Sequence, residues 1–280
     1  MIGVIGGDII GSHYERNKTK NKDFNLFSNN HFTDDTVMTM AIANAILTNT
    51  SYKENIIYFG RKYFEVGYGS SFRSWLQGSS NIEIKHSTSW DDNSLLVDIS
   101  DENSFQPYNS WGNGSAMRVA PIAYAFNTLD KVMEEAKKSA EVTHNHPEGI
   151  KGAQAIAMAM FLARNNHSKE YIKDSIERVF QYDLSRTYEE IKPNYKFEVS
   201  CQKSVPESII CFLESKDYED CIRLAISLGG DADTMAAMAG GIAEIYYKDI
   251  PKEIKERIFE IIPGEFSKII SEFSQKFIQK

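Results

Sequence analysis

Gly229-Gly230-Asp231-Ala232-Asp233-Thr234-Met235-Ala236-Ala237-Met238-Ala239-Gly240-Gly241-Ile242 runs into an apolar tail that ends near Tyr247. Alanine, glycine and methionine make up most of it. Small apolar residues all round predict a helix over 233–247 packed closely on every side. Acids and hydroxyls before a helix are good caps and suit its dipole. A cap needs one side chain, yet Asp231, Asp233 and Thr234 all stand at this boundary. Ionised carboxylates crowded at a buried edge repel one another, and burial raises their pKa values. A bound divalent cation removes the conflict. Oxygen donors without accompanying Cys or His suit Mg²⁺, Mn²⁺ or Ca²⁺ rather than zinc.

The same pattern recurs at Thr33-Asp34-Asp35-Thr36, just before an apolar run. A third acidic stretch follows the glycines of Gly6-Gly7-Asp8, with Glu15 seven residues on. Seven residues is about two helical turns, which puts Asp8 and Glu15 on one face.

Helical spacing dominates the rest. Helices are predicted over 36–47, 129–142, 150–164, 169–180, 205–213, 218–228, 252–261 and 266–278. Strand signals are few, and only 197–201 alternates briefly. Residues 67–114 are rich in Ser, Asn, Asp, Gly and aromatics and read as loops with short helices, a length of loop that is often functional. No repeat and no Pro/Gly/Ser-rich linker divides the 280 residues, so one domain over 1–280 is expected.

Composition sets outer bounds. With 42% hydrophobic and 25% charged residues the chain reads as an ordinary globular protein. The net charge of −8 and the lack of a basic stripe argue against nucleic-acid binding. Cys201, Cys211 and Cys221 give neither a disulfide framework nor a zinc signature and fit a reducing compartment. No apolar run reaches the roughly 20 residues a bilayer requires, and no signal peptide opens the chain, so a cytoplasmic location is expected.

Two loops add ligand chemistry. Trp111-Gly112-Asn113-Gly114-Ser115-Ala116-Met117-Arg118 permits backbone angles closed to bulky residues, and successive N–H groups there can form an anion nest. A helix beginning near Ser115 would add its dipole. Thr143-His144-Asn145-His146-Pro147 places two histidines before a proline suited to opening a helix. Tyr68, Phe72, Trp75, Tyr108 and Trp111 are the candidate pocket aromatics, although core packing suits most of them equally.

Taken in order, these segments resemble the ADP-ribosylglycohydrolase family from about Ile2 to Tyr247. The motifs are Gly-Asp-x-x-Gly-x-x-x-Glu, Thr-Asp-Asp-Thr, Gly-Asn-Gly-Ser-Ala-Met-Arg, Thr-His-x-His and Gly-Gly-Asp-x-Asp-Thr. The resemblance implies an all-α, orthogonal multi-helix bundle with a central cleft holding two divalent metal ions, Mg²⁺ or Mn²⁺. It places the metal ligands at Thr33, Asp34, Asp35, Asp231, Asp233 and Thr234, with Glu15 beside or on the metals. For acid–base work the candidates are Glu15 or one of the paired aspartates, with Asp34 and Asp233 foremost. Substrate contacts fall on Gly112, Asn113, Gly114, Ser115, Ala116, Met117 and His144, and on Gly69 and Ser70 near the distal ribose. Asp91, Asp92 and His146 receive no role. The implied substrate carries ADP-ribose, foremost an ADP-ribosylated protein, and a monomer is expected. A non-catalytic ADP-ribose binder and a metal hydrolase of another nucleotide or glycoside are the rival readings.

Overall fold

A computed structural model of the chain describes residues 1–78 and 105–278. Among these residues the architecture is all-helical. The helices are α1 (Ile2–Arg16), α2 (Asp34–Thr48), α3 (Tyr52–Lys62), α4 (Ser70–Gln77), α5 (Ala120–Ala125), α6 (Leu129–Glu141), α7 (Pro147–Arg164), α8 (Lys169–Phe180), α9 (Tyr188–Ile191), α10 (Cys201–Glu214), α11 (Tyr218–Ser227), α12 (Ala232–Tyr247), α13 (Lys252–Ile261) and α14 (Gly264–Phe277). A 3-10 turn at Asn113–Ser115 and an isolated antiparallel bridge between Gly112 and Ser200 are the other regular features among them. That bridge is what becomes of the brief alternation at 197–201, and Cys201 already belongs to α10. Asp91, Asp92 and most of the long loop stretch lie outside the described residues.

α12 occupies the centre. Every residue from Ala232 to Ala243 is buried, and the helix touches α1, α2, α7, α10 and α11. Its largest partner is α1, a helix that the spacing of apolar residues does not announce. Four glycines, Gly3, Gly6, Gly7 and Gly11, lower its intrinsic helix propensity. Three of them, at i, i+4 and i+8, form a stripe on one face. A methyl group at Gly3 would fall on the Gly240 carbonyl, one at Gly7 on the Ala236 carbonyl, and one at Gly11 on the Asp233 backbone. The two helices therefore run antiparallel, backbone against backbone, and the approach is open only to glycine. Their closeness sets Asp8 beside the start of α12. α3, also absent from the sequence expectation, packs on α2, with Ser51 capping it through the Glu54 N–H. One continuous apolar cluster extends from Met1 to Phe273.

Candidate metal centre and its cleft

Asp8 lies mid-helix and has no solvent exposure. Its carboxylate accepts hydrogen bonds from the Thr33 N–H at 3.0 Å, the Thr33 hydroxyl at 2.7 Å, the Thr36 N–H at 3.1 Å and the Thr36 hydroxyl. One buried carboxylate thereby folds the Thr33–Thr36 turn around itself. That turn is the N-terminus of α2, where the Thr33 hydroxyl also caps the Asp35 N–H. Asp34 and Asp35 are held in place as a result.

The opposing acids come from the turn before α12. Gly229 has a φ of 68°, a left-handed conformation that favours glycine. The Lys20 ammonium donates to the carbonyls of Lys192, Tyr195 and Leu228 at 2.6, 2.8 and 2.5 Å, tying the segment after α1 to this turn. Asp231 accepts from Asn113 Nδ2 at 2.8 Å. The Thr234 hydroxyl donates across to Asp35 Oδ2 at 3.1 Å, joining the two halves of the site. Asp8, Asp35 and Asp233 each bring a carboxylate oxygen into one group whose atoms lie within 4.8 Å of one another.

The acids strain the electrostatics of the ligand-free protein. Burial, then repulsion from Asp8, pushes Asp34 up to about 8. Asp231 is pushed up to about 6 by burial, with the Asn113 hydrogen bond opposing. Burial and neighbouring acids, Asp8 and Asp34 for the first and Asp231 and Asp35 for the second, hold Asp35 and Asp233 well above the carboxylate range. Asp35 Oδ1 is buried without a hydrogen-bond partner. Crowded, desolvated carboxylates with an unsatisfied oxygen form a donor set that fits a hard divalent cation. Asp8 was legible as a neighbour of Glu15 but not as a member of this trio. Its signal was an acid inside an otherwise apolar, glycine-rich helix.

Two of the trio, Asp35 and Asp233, line a cleft of about 660 Å³, whereas Asp8 does not reach it. Glu15, Thr33, Asp34, Asp35, Asp231, Asp233 and Thr234 all line it, as do Gly69, Ser70, Gly112, Asn113, Gly114, Met117 and His144. Ser115 and Ala116 do not. Ser115 is fully buried and its hydroxyl donates to the Gly149 carbonyl at 2.7 Å, while Ala116 is 1% exposed. The geometry corrects one part of the loop's reading: no helix begins at Ser115 to back it. The N–H groups of Asn113, Ala116 and Met117 donate to Val199, Asn113 and Asn113 carbonyls, and Gly112 N–H donates to the Ser110 hydroxyl. The Asn113–Ser115 turn is too short for a helix dipole, and the next helix starts at Ala120. What faces the cleft is the Gly112–Gly114 edge, pinned by the bridge to Ser200 and by the Cys201 thiol on the Gly112 carbonyl at 3.0 Å.

His144 and His146 separate in role. His146 caps α7, with Nδ1 accepting the Glu148 N–H at 3.1 Å. His144 is buried against the cleft wall, and burial, then the Arg118 charge, lowers its pKa well below the usual histidine value. Trp111, Phe197 and Val199 remain 53%, 45% and 48% exposed, an apolar group that the Gly112–Ser200 bridge brings to one edge. Tyr68, Phe72 and Tyr108 line the cleft, whereas Trp75 is buried and stacks on Phe72.

Comparison with known proteins gives the family. A family profile described as ADP-ribosylglycohydrolase matches residues 1–279. The chain is 26% identical to ADP-ribosylhydrolase ARH3 of Homo sapiens, over 88% of this chain and 84% of that one. It is 24% identical to ADP-ribosylarginine hydrolase Tri1 of Pseudomonas putida (strain GB-1), over 92% of this chain and 72% of that one. Among solved structures, an ADP-ribosylglycohydrolase-related protein complex superposes with a TM-score of 0.69 at 20% identity, over 98% of this chain and 95% of that one, a likeness of fold. With the profile spanning nearly every residue, the chain belongs to the ADP-ribosylglycohydrolase family.

Proposed function

We propose that the protein hydrolyses the glycosidic bond between the distal ribose of ADP-ribose and an acceptor, and so reverses ADP-ribosylation. The observation that carries this reading is the convergence of acids from α1, α2 and α12 on one buried group, two of whose members line a ligand-sized cleft. Its volume falls within the roughly 300–1,000 Å³ of small-molecule sites.

Thr33, Asp34 and Asp35 on one side, and Asp231, Asp233 and Thr234 on the other, would hold two divalent cations, Mg²⁺ or Mn²⁺, with Glu15 beside them. Bound there, the cations supply Lewis acidity and neutralise the clustered charge. The Gly112–Gly114 edge and His144 receive the diphosphate, and Gly69 and Ser70 border the distal ribose. The cleavage passes through an oxocarbenium-like state. A water oxygen bonds to the ribose anomeric carbon as the bond from that carbon to the acceptor breaks. Glu15 takes the proton from the water and returns one to the leaving acceptor, one water being consumed per bond. Asp34 and Asp233 flank Glu15 as further carboxylates for proton handling.

The name of the Pseudomonas relative specifies arginine as acceptor. A panel of peptides ADP-ribosylated on arginine, serine or an acyl ester, with modified nucleobases and free O-acetyl-ADP-ribose, assayed with and without EDTA, tests the reading and assigns the acceptor. Metal-dependent release of ADP-ribose from at least one member is expected. Calorimetric binding of ADP-ribose with no release from any member would identify a binder instead.

A further inference from the structure

Arg118 has 1% exposure and forms no ion pair with any carboxylate among the described residues. Isolated buried guanidinium groups are rare because desolvation costs several kcal/mol unless something compensates. The same Arg118 nitrogen donates to the Ser139 carbonyl at 2.9 Å and to the Thr143 hydroxyl at 2.9 Å, and Nε has no partner. Thr143 is fully buried, and its oxygen lies 2.7 Å from His144 Nδ1.

The directions of these bonds follow from the donors. Arginine only donates, so the Thr143 oxygen accepts from it. The Thr143 hydroxyl proton then needs an acceptor, and among the described residues the one within reach is His144 Nδ1. Were Nδ1 protonated, two N–H groups would point at one hydroxyl oxygen, and a buried O–H would be left unsatisfied. Nδ1 is therefore the bare nitrogen, and the proton belongs on Nε2. The Nε2 edge faces the cleft: a methyl at Gly114 would lie 3.0 Å from Nε2, and one at Gly112 3.5 Å.

We propose that Arg118 and Thr143 act as positioning residues that lock His144 as its neutral Nε2–H tautomer, so that the ring offers an uncharged donor to an anionic oxygen at the Gly112–Gly114 edge. The identity of that anion as the diphosphate of ADP-ribose rests on the function proposed above; the relay itself does not. His144 is then a fixed hydrogen-bond donor and not a proton carrier in the reaction. The nearby guanidinium opposes a second positive charge on the ring and adds a positive field behind it.

The tautomer is read in the ligand-free protein by long-range ¹H–¹⁵N correlation of the six histidine rings at pH 7, with His144 assigned by its loss in His144→Gln. The expected pattern is a pyridine-like Nδ1 and a protonated Nε2. Thr143→Val should release that preference and weaken binding of ADP-ribose roughly tenfold, the loss of one hydrogen bond. It should raise KM by a similar factor while kcat changes little, and Thr143→Ser should restore both. An imidazolium or an Nδ1–H tautomer in the wild type overturns the proposal, and so does a Thr143→Val spectrum unchanged in tautomer. If the expected tautomer and its response to Thr143→Val are found but ADP-ribose binds no variant, the relay stands and the glycohydrolase reading falls.

Discussion

At Asp8, four donated hydrogen bonds oppose burial, and burial wins, so the carboxyl sits above its ordinary range. Its position is kept because Thr33 and Thr36 lean on it. Thr36→Val removes one of those four donors, the side-chain hydroxyl, keeps the backbone N–H, and leaves a buried acceptor short. It is expected to destabilise the fold by about 1–3 kcal/mol, measured by chemical denaturation. Glu15→Ala and Asp233→Ala act differently. Each should lower turnover by about 10²–10⁴-fold or more, as loss of acid–base help does. Asp233→Ala should also abolish cation-induced thermal stabilisation. Near-full activity of either variant in saturating Mg²⁺ would remove it from the mechanism. At this level the sequence shows residue types and spacing well. Asp231, Asp233, Thr33, Asp34 and Asp35 stand out because acids meet apolar helices. It does not show which hydroxyl a given carboxylate holds, since Asp8 and Thr36 meet only through tertiary packing.

α1 and α12 make the opposite point about helices. α12 and α7 are legible from alanine and methionine runs with capping residues before them. α1 is legible only in part: Asp8 and Glu15 stand at helical spacing, but the glycine stripe reads locally as loop, and the reason for it lies in α12. Gly7→Ala illustrates the difference. Local propensity would favour alanine by up to about 1 kcal/mol. The Ala236 carbonyl occupies the space the methyl needs, and overpacking against backbone costs roughly 1–3 kcal/mol or more. A net fall in melting temperature is expected, with weaker divalent-cation binding since α1 carries Asp8 and Glu15. Gly264→Ala, at the start of α14 with nothing near its Cβ, is the matched control and should leave stability equal or slightly raised. The Gly112 loop was half legible. Glycines mark a tight approach, but only the pairing with the 199–200 segment shows which N–H groups are already taken, that of Asn113 by the Val199 carbonyl among them.

Across the molecule, the clustered acids couple stability to pH and to cations. Without cation, the folded state keeps protons on Asp231 up to about 6 and on Asp34 up to about 8, whereas the unfolded chain has released them from near 3.8 upward. Folded pKa values above unfolded ones mean that this contribution is full at low pH and is lost as pH rises through 6 and 8. In EDTA, the melting temperature should therefore decline from about pH 5 to pH 8.5. Mg²⁺ or Mn²⁺ should restore it, and more strongly at the higher pH. One site at a hundred times its Kd adds about 2.7 kcal/mol, roughly 5 °C or more for a chain of this length. Differential scanning fluorimetry across pH, with and without cation, checks both signs. No helix of the described residues is long and apolar enough to cross a membrane, in line with the hydropathy of the sequence. The all-helical class is legible from periodicity, whereas the meeting of α1, α2 and α12 at one centre is not, because no local pattern encodes it.

The Thr234–Asp35 bond spans 199 positions along the chain, and the glycine stripe joins the first helix to the twelfth. Contacts of such sequence separation carry a large loop-closure penalty and are slow to form. An intact cation site therefore exists only after the chain through Thr234 has been made and closed upon itself. Cations should leave the refolding rate nearly unchanged and retard unfolding, which stopped-flow traces at two Mg²⁺ concentrations would reveal.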